Sequence, residues 1–243
     1  MSIHKAALYA GLASAVAVAG LTWASSVVVL HPATINGSVS FDAEAVTRVS
    51  LHAYPSDGGS GTSLQFSVPG PGPRPYSLTV EGGDPQDPSQ NGKDYQMSAT
   101  GFFSGGNGTS YLTVTRTAAT HVTYPGGDAT GVDFNYSDTT RANVSLHVIG
   151  GMLYAGDLFA GCDTASEEYS SYSRVYPDVQ GASAGSAFIP MARCSAVTVD
   201  PVIYVMSDSG SITIYLPPAQ TVDLSQGPGA LSWTVDEIGR AHV

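Results

Sequence analysis

Short runs with an apolar residue at every second position, each ended by Gly, Pro, Asp or Asn, constrain this chain more than any other feature. A period of two sends alternate side chains to opposite faces of a strand, so each run has one buried and one wet face. One series occupies residues 35–41, 46–53, 76–80, 95–99, 111–114, 122–124 and 132–136. A second occupies 144–148, 154–159, 197–199, 202–205, 212–215, 221–224 and 231–235. Seven short strands per series, punctuated by turn residues, predict a sandwich. Composition agrees: 28 Gly, 15 Pro and 12% charged residues leave little material for long helices. The fold class is all-β.

Two sandwiches in tandem account for both series, with the boundary near Ser137-Asp-Thr-Thr-Arg141. Two echoes point to duplication. Val49-Ser-Leu-His52 returns as Val144-Ser-Leu-His147, and the stretch 122–134 resembles 222–233 in its Gly-rich turn and apolar-polar-aromatic ending. We expect a signal segment at 1–26, a first β-sandwich domain at 27–138 and a second at 139–236. Pro-Gly-Pro-Gly-Pro-Arg-Pro at 69–75 predicts a loop or edge, since proline removes ladder donors.

The order Ile35-x-Gly37-x-Val39, Tyr76-x-Leu78-x-Val80, Tyr95-x-Met97-x-Ala99 and Val122-x-x-x-Gly126-Gly-Asp-x-x-x-Val132-Asp-Phe134 resembles carboxypeptidase regulatory-like, transthyretin-like sandwich modules. The match runs over 33–136 and, more weakly, over 142–236. An immunoglobulin-like sandwich is matched nearly as well. Such a resemblance implies a rigid non-catalytic spacer, adhesive unit or accessory domain of an exported bacterial protein. It brings no catalytic residues. The insertions at 55–75 and 81–93 depart from a compact module.

The two ends carry different information. Met1 to Lys5 is a short positive start, and the apolar run from Ala6 to Leu21 follows it as in a secretory signal. Val27-Val-Val-Leu30 lengthens that run toward a membrane anchor, the rival reading. Either way the remainder is exported to the cell surface or medium. At the other end, Ile238-Gly-Arg-Ala-His-Val243 resembles one reading frame of a common short-read sequencing adapter, so residues 237–243 are expected to be an artefact at a truncated C-terminus. Export also bears on Cys162 and Cys194, the only cysteines, which are expected to pair in an oxidising compartment.

Net charge excludes one class of partner. Nine Lys and Arg face twenty Asp and Glu, giving −11, and no basic run offers a footprint for nucleic acid. Catalytic patterns are weak. Gly181-Ala-Ser183-Ala-Gly185 fits G-x-S-x-G, but Pro190 interrupts the helix such an elbow needs. Ser207-Asp208-Ser209-Gly210 with His121 and Asp157 or Asp163 resembles a protease triad, yet Ser207 stands where the oxyanion-hole glycine belongs. No enzyme is expected.

Two binding features remain. Asp87-Pro-Ser-Gln-Asn91-Gly92, with Asp84 and Asp94 on either side, sets oxygen ligands at calcium-loop spacing, although Ser98 stands where the bidentate Glu belongs. Tyr169, Tyr172 and Tyr176 are the densest tyrosine group and a candidate platform for sugar rings. We therefore expect exported spacer or adhesive modules. The alternatives are a carbohydrate- or calcium-binding module and the accessory front end of a truncated hydrolase, and the expected partners are a polysaccharide or another surface protein.

Overall fold

The computed structural model describes residues 31–41, 46–68, 70–104 and 109–237. The signal segment and residues 238–243 lie outside them. Sixteen strands and no helix occur among the described residues. The first eight are β1 (Pro32–Phe41), β2 (Val46–Pro55), β3 (Thr62–Ser67), β4 (Arg74–Glu81), β5 (Lys93–Phe103), β6 (Ser110–Arg116), β7 (Thr120–Val122) and β8 (Phe134–Tyr136). The rest are β9 (Thr139–Ile149), β10 (Met152–Asp163), β11 (Glu167–Val175), β12 (Ala184–Ala192), β13 (Val197–Met206), β14 (Ile212–Tyr215), β15 (Gln220–Val222) and β16 (Gly229–Asp236).

The two series obey one pairing rule. β1 pairs antiparallel with β4 and parallel with β8, and β9 does the same with β12 and β16. β2 lies between β3 and β5 as β10 lies between β11 and β13. β5 carries β6 and then β7 on one edge, as β13 carries β14 and β15. Even the bulges correspond: the register of β2 slips between Val46 and Arg48, that of β10 between Leu153 and Ala155. Bulges are fixed features of a fold rather than accidents, so the agreement aligns the halves residue by residue.

Separate sandwiches would have kept their large sheets apart. Instead β6 and β11 pair antiparallel over seven positions, from Ser110↔Ser173 to Arg116↔Glu167. The result is one ten-stranded sheet whose main path is β14-β13-β10-β11-β6-β5-β2-β3. A three-stranded sheet covers each half, β4-β1-β8 over the first and β12-β9-β16 over the second. Both lie on the same side. Tyr136 of β8 is fully buried, its hydroxyl donating to Ala99 O of β5 at 2.7 Å, and Leu146 of β9 lies against Gly156 of β10.

Alternation fills the space between. Tyr95, Met97, Ala99, Leu112 and Val114 point inward from the large sheet against Ile35, Leu78, Val80 and Phe134 from the small one. Val197, Val199, Ile203 and Val205 meet Val144, Leu146, Ile189 and Trp233 in the second half. Trp233 is thus a core residue, its indole N–H donating to Pro218 O at 3.0 Å. Where the halves join, the inner face turns polar. Buried Ser110 and Ser173 share a hydroxyl contact of 2.8 Å, and Ser173 donates to Phe188 O at 2.8 Å, which satisfies groups that burial would otherwise penalise.

One duplication echo falls on unlike strands. Val49 to His52 belongs to β2 and Val144 to His147 to β9, whose counterpart is β1. A short strand motif encodes only alternation, which every strand shares. The other echo, 122–134 with 222–233, runs through β7–β8 and β15–β16, which do correspond.

Candidate functional site

With both small sheets on one side, the other face of the ten-stranded sheet carries no further layer among the described residues. Residues that alternate with the core residues line it. On four successive strands the register sets Phe102 of β5 opposite Tyr111 of β6, Tyr111 opposite Tyr172 of β11, and Tyr172 opposite Phe159 of β10. The ring centroids are 6.0, 5.2 and 5.4 Å apart, within the range in which cross-strand aromatic pairs attract. The Arg48 guanidinium, opposite Phe102, caps the row 4.0 Å from that ring. The row therefore crosses the junction between the halves.

A charged cluster adjoins its far end. Asp157 of β10 faces the open side yet is only 8% exposed, because neighbours cover it. Tyr172 donates its hydroxyl to Asp157 Oδ1 at 2.6 Å, and Arg174 Nε stands 3.7 Å from the same oxygen. The Arg174 guanidinium lies 5.5 Å from the Tyr176 ring and 6.0 Å from the Tyr204 ring. Burial and the Asp157 carboxylate push the Tyr172 phenol up to about 12, and the hydrogen bond to Asp157 with some burial raises Tyr204 as well. Both phenols stay protonated as donors. Phe159 and Tyr176 remain 47% and 42% exposed, so apolar rings flank a fixed carboxylate and guanidinium on an accessible surface.

The structure divides the tyrosine group. Tyr172 and Tyr176 share the open side with Arg174 between them, whereas Tyr169 points to the core side, its hydroxyl held by Glu167. The odd spacing from Tyr169 to Tyr172 sets them on opposite faces of a strand. Sequence reasoning missed Phe102, Tyr111 and Phe159. Phe102 lies beyond the 95–99 run that alternation marked, and the approach of Tyr111 to Tyr172 depends on the β6–β11 joint.

The other candidates lie apart from this face. Asp84, Asp87 and Asn91 belong to the β4–β5 loop. Asp87 accepts from Ser89 N, Ser89 Oγ and Gln90 Nε2, Asp84 accepts from Gln86 N, and Asn91 bridges to Gly83. Asp94 is drawn to β7, 2.8 Å from His121 Nδ1. Among the described residues no three His, Cys, Asp or Glu side chains converge as a metal set. Cys162 of β10 is disulfide-bonded to Cys194, just beyond β12, which ties the large sheet to the small one. Ser183 immediately precedes β12 and gives its carbonyl to Val148 N, and Ser207 to Gly210 form the tight β13–β14 turn. His121 pairs with Asp94 in the other half.

No family model matches the chain, and no curated protein matches it in sequence. Among solved structures, a candidate cell adhesion protein from Bacteroides fragilis superposes with a TM-score of 0.33 and 11% identity, covering 86% of this chain and 95% of that one. A candidate adhesin from Bacteroides ovatus gives 0.30 and 8%, covering 86% and 94%. TM-scores this low do not establish a shared fold.

Proposed function

We propose that the chain is a non-catalytic pair of tandem sandwich modules, an exported spacer and adhesive part of a longer bacterial surface or secreted protein, and that its open sheet face holds a polysaccharide. The observation that carries this reading is the uncovered row from Phe102 to Phe159, ending at Asp157 and Arg174. Exposed rings accept the apolar faces of sugars, while a fixed carboxylate and guanidinium bond their hydroxyls. Export is supported by the signal-like start and by the Cys162–Cys194 bond, which persists only in an oxidising compartment. Long antiparallel pairing and a shared core suit a stiff spacer.

Titration of the full chain with polysaccharides, guided by a glycan array, tests the adhesive part. Phe159→Ala and Tyr172→Ala are expected to weaken binding by roughly fivefold each, the worth of about 1 kcal/mol per ring contact. Glycan binding indifferent to both changes would remove this face as the site. Absence of any glycan binding would leave only the spacer.

A further inference from the structure

The ten-stranded sheet ends in β14 on one side and β3 on the other, and neither has a further strand partner among the described residues. These two edges correspond to the pair already joined inside the molecule: β14 is the counterpart of β6, and β3 of β11. All pairs along the main path are antiparallel, so β14 of one copy meets β3 of another in the same sense as β6 meets β11. We infer that copies of this chain associate head to tail by pairing β14 of one with β3 of the next, extending the sheet by repeating its internal joint.

The edges themselves support a second copy as the occupant. Free edges are normally blunted with charge, proline, bulges or brevity. The small sheets follow that rule: β4 holds Arg74 and Pro75, β12 holds Pro190, and β8 has three residues. β3 (TSLQFS) has six residues with neither charge nor proline, and β14 (ITIY), although only four residues long, likewise has neither. Ile212 and Ile214 of β14 are 50% and 56% exposed, with Leu216 just beyond at 75%, an apolar row on an edge without a neighbour.

Transferring the internal register through the aligned bulges gives a specific joint. Tyr111↔Tyr172 becomes Ile214↔Ser63, with Thr213↔Leu64 and Ile212↔Gln65 beside it. Core-side residues then meet core-side residues, and open-side residues meet open-side residues, as sheet pairing requires. The two edges differ, so the contact is heterologous and leaves an end free after every addition. A net charge of −11 per copy opposes it, so salt should favour it.

The test is sedimentation of the full chain over rising protein and salt concentration, with electron microscopy of the largest species. Open-ended linear growth that strengthens with salt is expected. Ile214→Glu combined with Ser63→Glu sets like charges opposite, and Ile214→Lys combined with Ser63→Glu sets opposite charges. Both positions are exposed, so the fold should persist, as Trp233 fluorescence checks. The like-charge pair should associate at least roughly tenfold more weakly than the opposite-charge pair. A monomer at every concentration and salt, a dimer that grows no further, or association blind to the sign of the charges would each overturn the inference. Self-association and glycan titration are separate readouts, so this joint stands or falls independently of the open face.

Discussion

Gly101→Ala tests how the small sheet is seated on the large one. Gly101 of β5 lies under the ring of Tyr136, and a Cβ added there would sit 2.9 Å from Tyr136 Cε1 and 3.3 Å from both Cδ1 and Cζ. The ring has no easy retreat. It is fully buried, it stacks on Phe41 at 5.9 Å, and its hydroxyl is tied to Ala99 O. Overpacking of this kind costs about 1–3 kcal/mol, while replacing glycine where alanine fits the backbone returns about 0.4–1 kcal/mol through the unfolded state. The net expectation is a loss of about 0–2.6 kcal/mol, centred near 1.3. In a Tyr136→Leu background, itself destabilised by about 2–4 kcal/mol, the obstruction is gone and the same substitution becomes neutral or stabilising. Urea unfolding followed by Trp233 fluorescence measures all four corners of the cycle. Additive effects, or a Gly101→Ala loss of equal size in both backgrounds, would refute the seating of the ring over Gly101.

Removing the Cys162–Cys194 bond by paired Ser substitutions frees a loop with a sequence separation of 32 and should cost about 3–4 kcal/mol on the chain-entropy relation, read as a lower urea midpoint. Gly156→Ala drives a Cβ into Leu146 Cδ1, and a loss of about 1–3 kcal/mol is expected, relieved by Leu146→Ala in the same chain. Stability should fall as pH rises above about 10, because Tyr76, Tyr136, Tyr169 and Tyr172 all titrate higher in the folded chain than in the unfolded one. The unfolded chain loses those protons first, so the contribution of Tyr172 is complete below about pH 10 and declines through about 12. Tyr172→Phe should flatten that alkaline limb, and an unchanged limb would count against its burial beside Asp157.

Alternation revealed most of the core before any coordinates did. Tyr95, Met97, Ala99, Val144, Leu146 and Val148 are buried at the positions that a period of two assigns them. Three strands escaped notice for identifiable reasons. β3 is a sheet edge and carries only Leu64 and Phe66 as large apolar residues. β11 sits at the junction, where its inward positions run Tyr169, Ser171 and Ser173 before the single aliphatic Val175. β12 contains Pro190, tolerable because among the described residues the strand pairs with β9 alone and is a sheet edge. At the candidate site Tyr172 and Tyr176 were visible as a cluster, but nothing local set Tyr169 apart from them until β11 was known to be a strand.

What the amino-acid sequence determined by itself was the class of fold and the face buried by every strand except β3, β11 and β12, since both follow from side-chain period and turn residues acting over a few positions. Only the tertiary structure decided which strands are neighbours. The β6–β11 joint is made by backbone groups that every residue carries, between segments far apart in the chain, and it leaves no local pattern. On that joint depend the single ten-stranded sheet, the aromatic row from Phe102 to Phe159, and the pair of matched edges at its two ends.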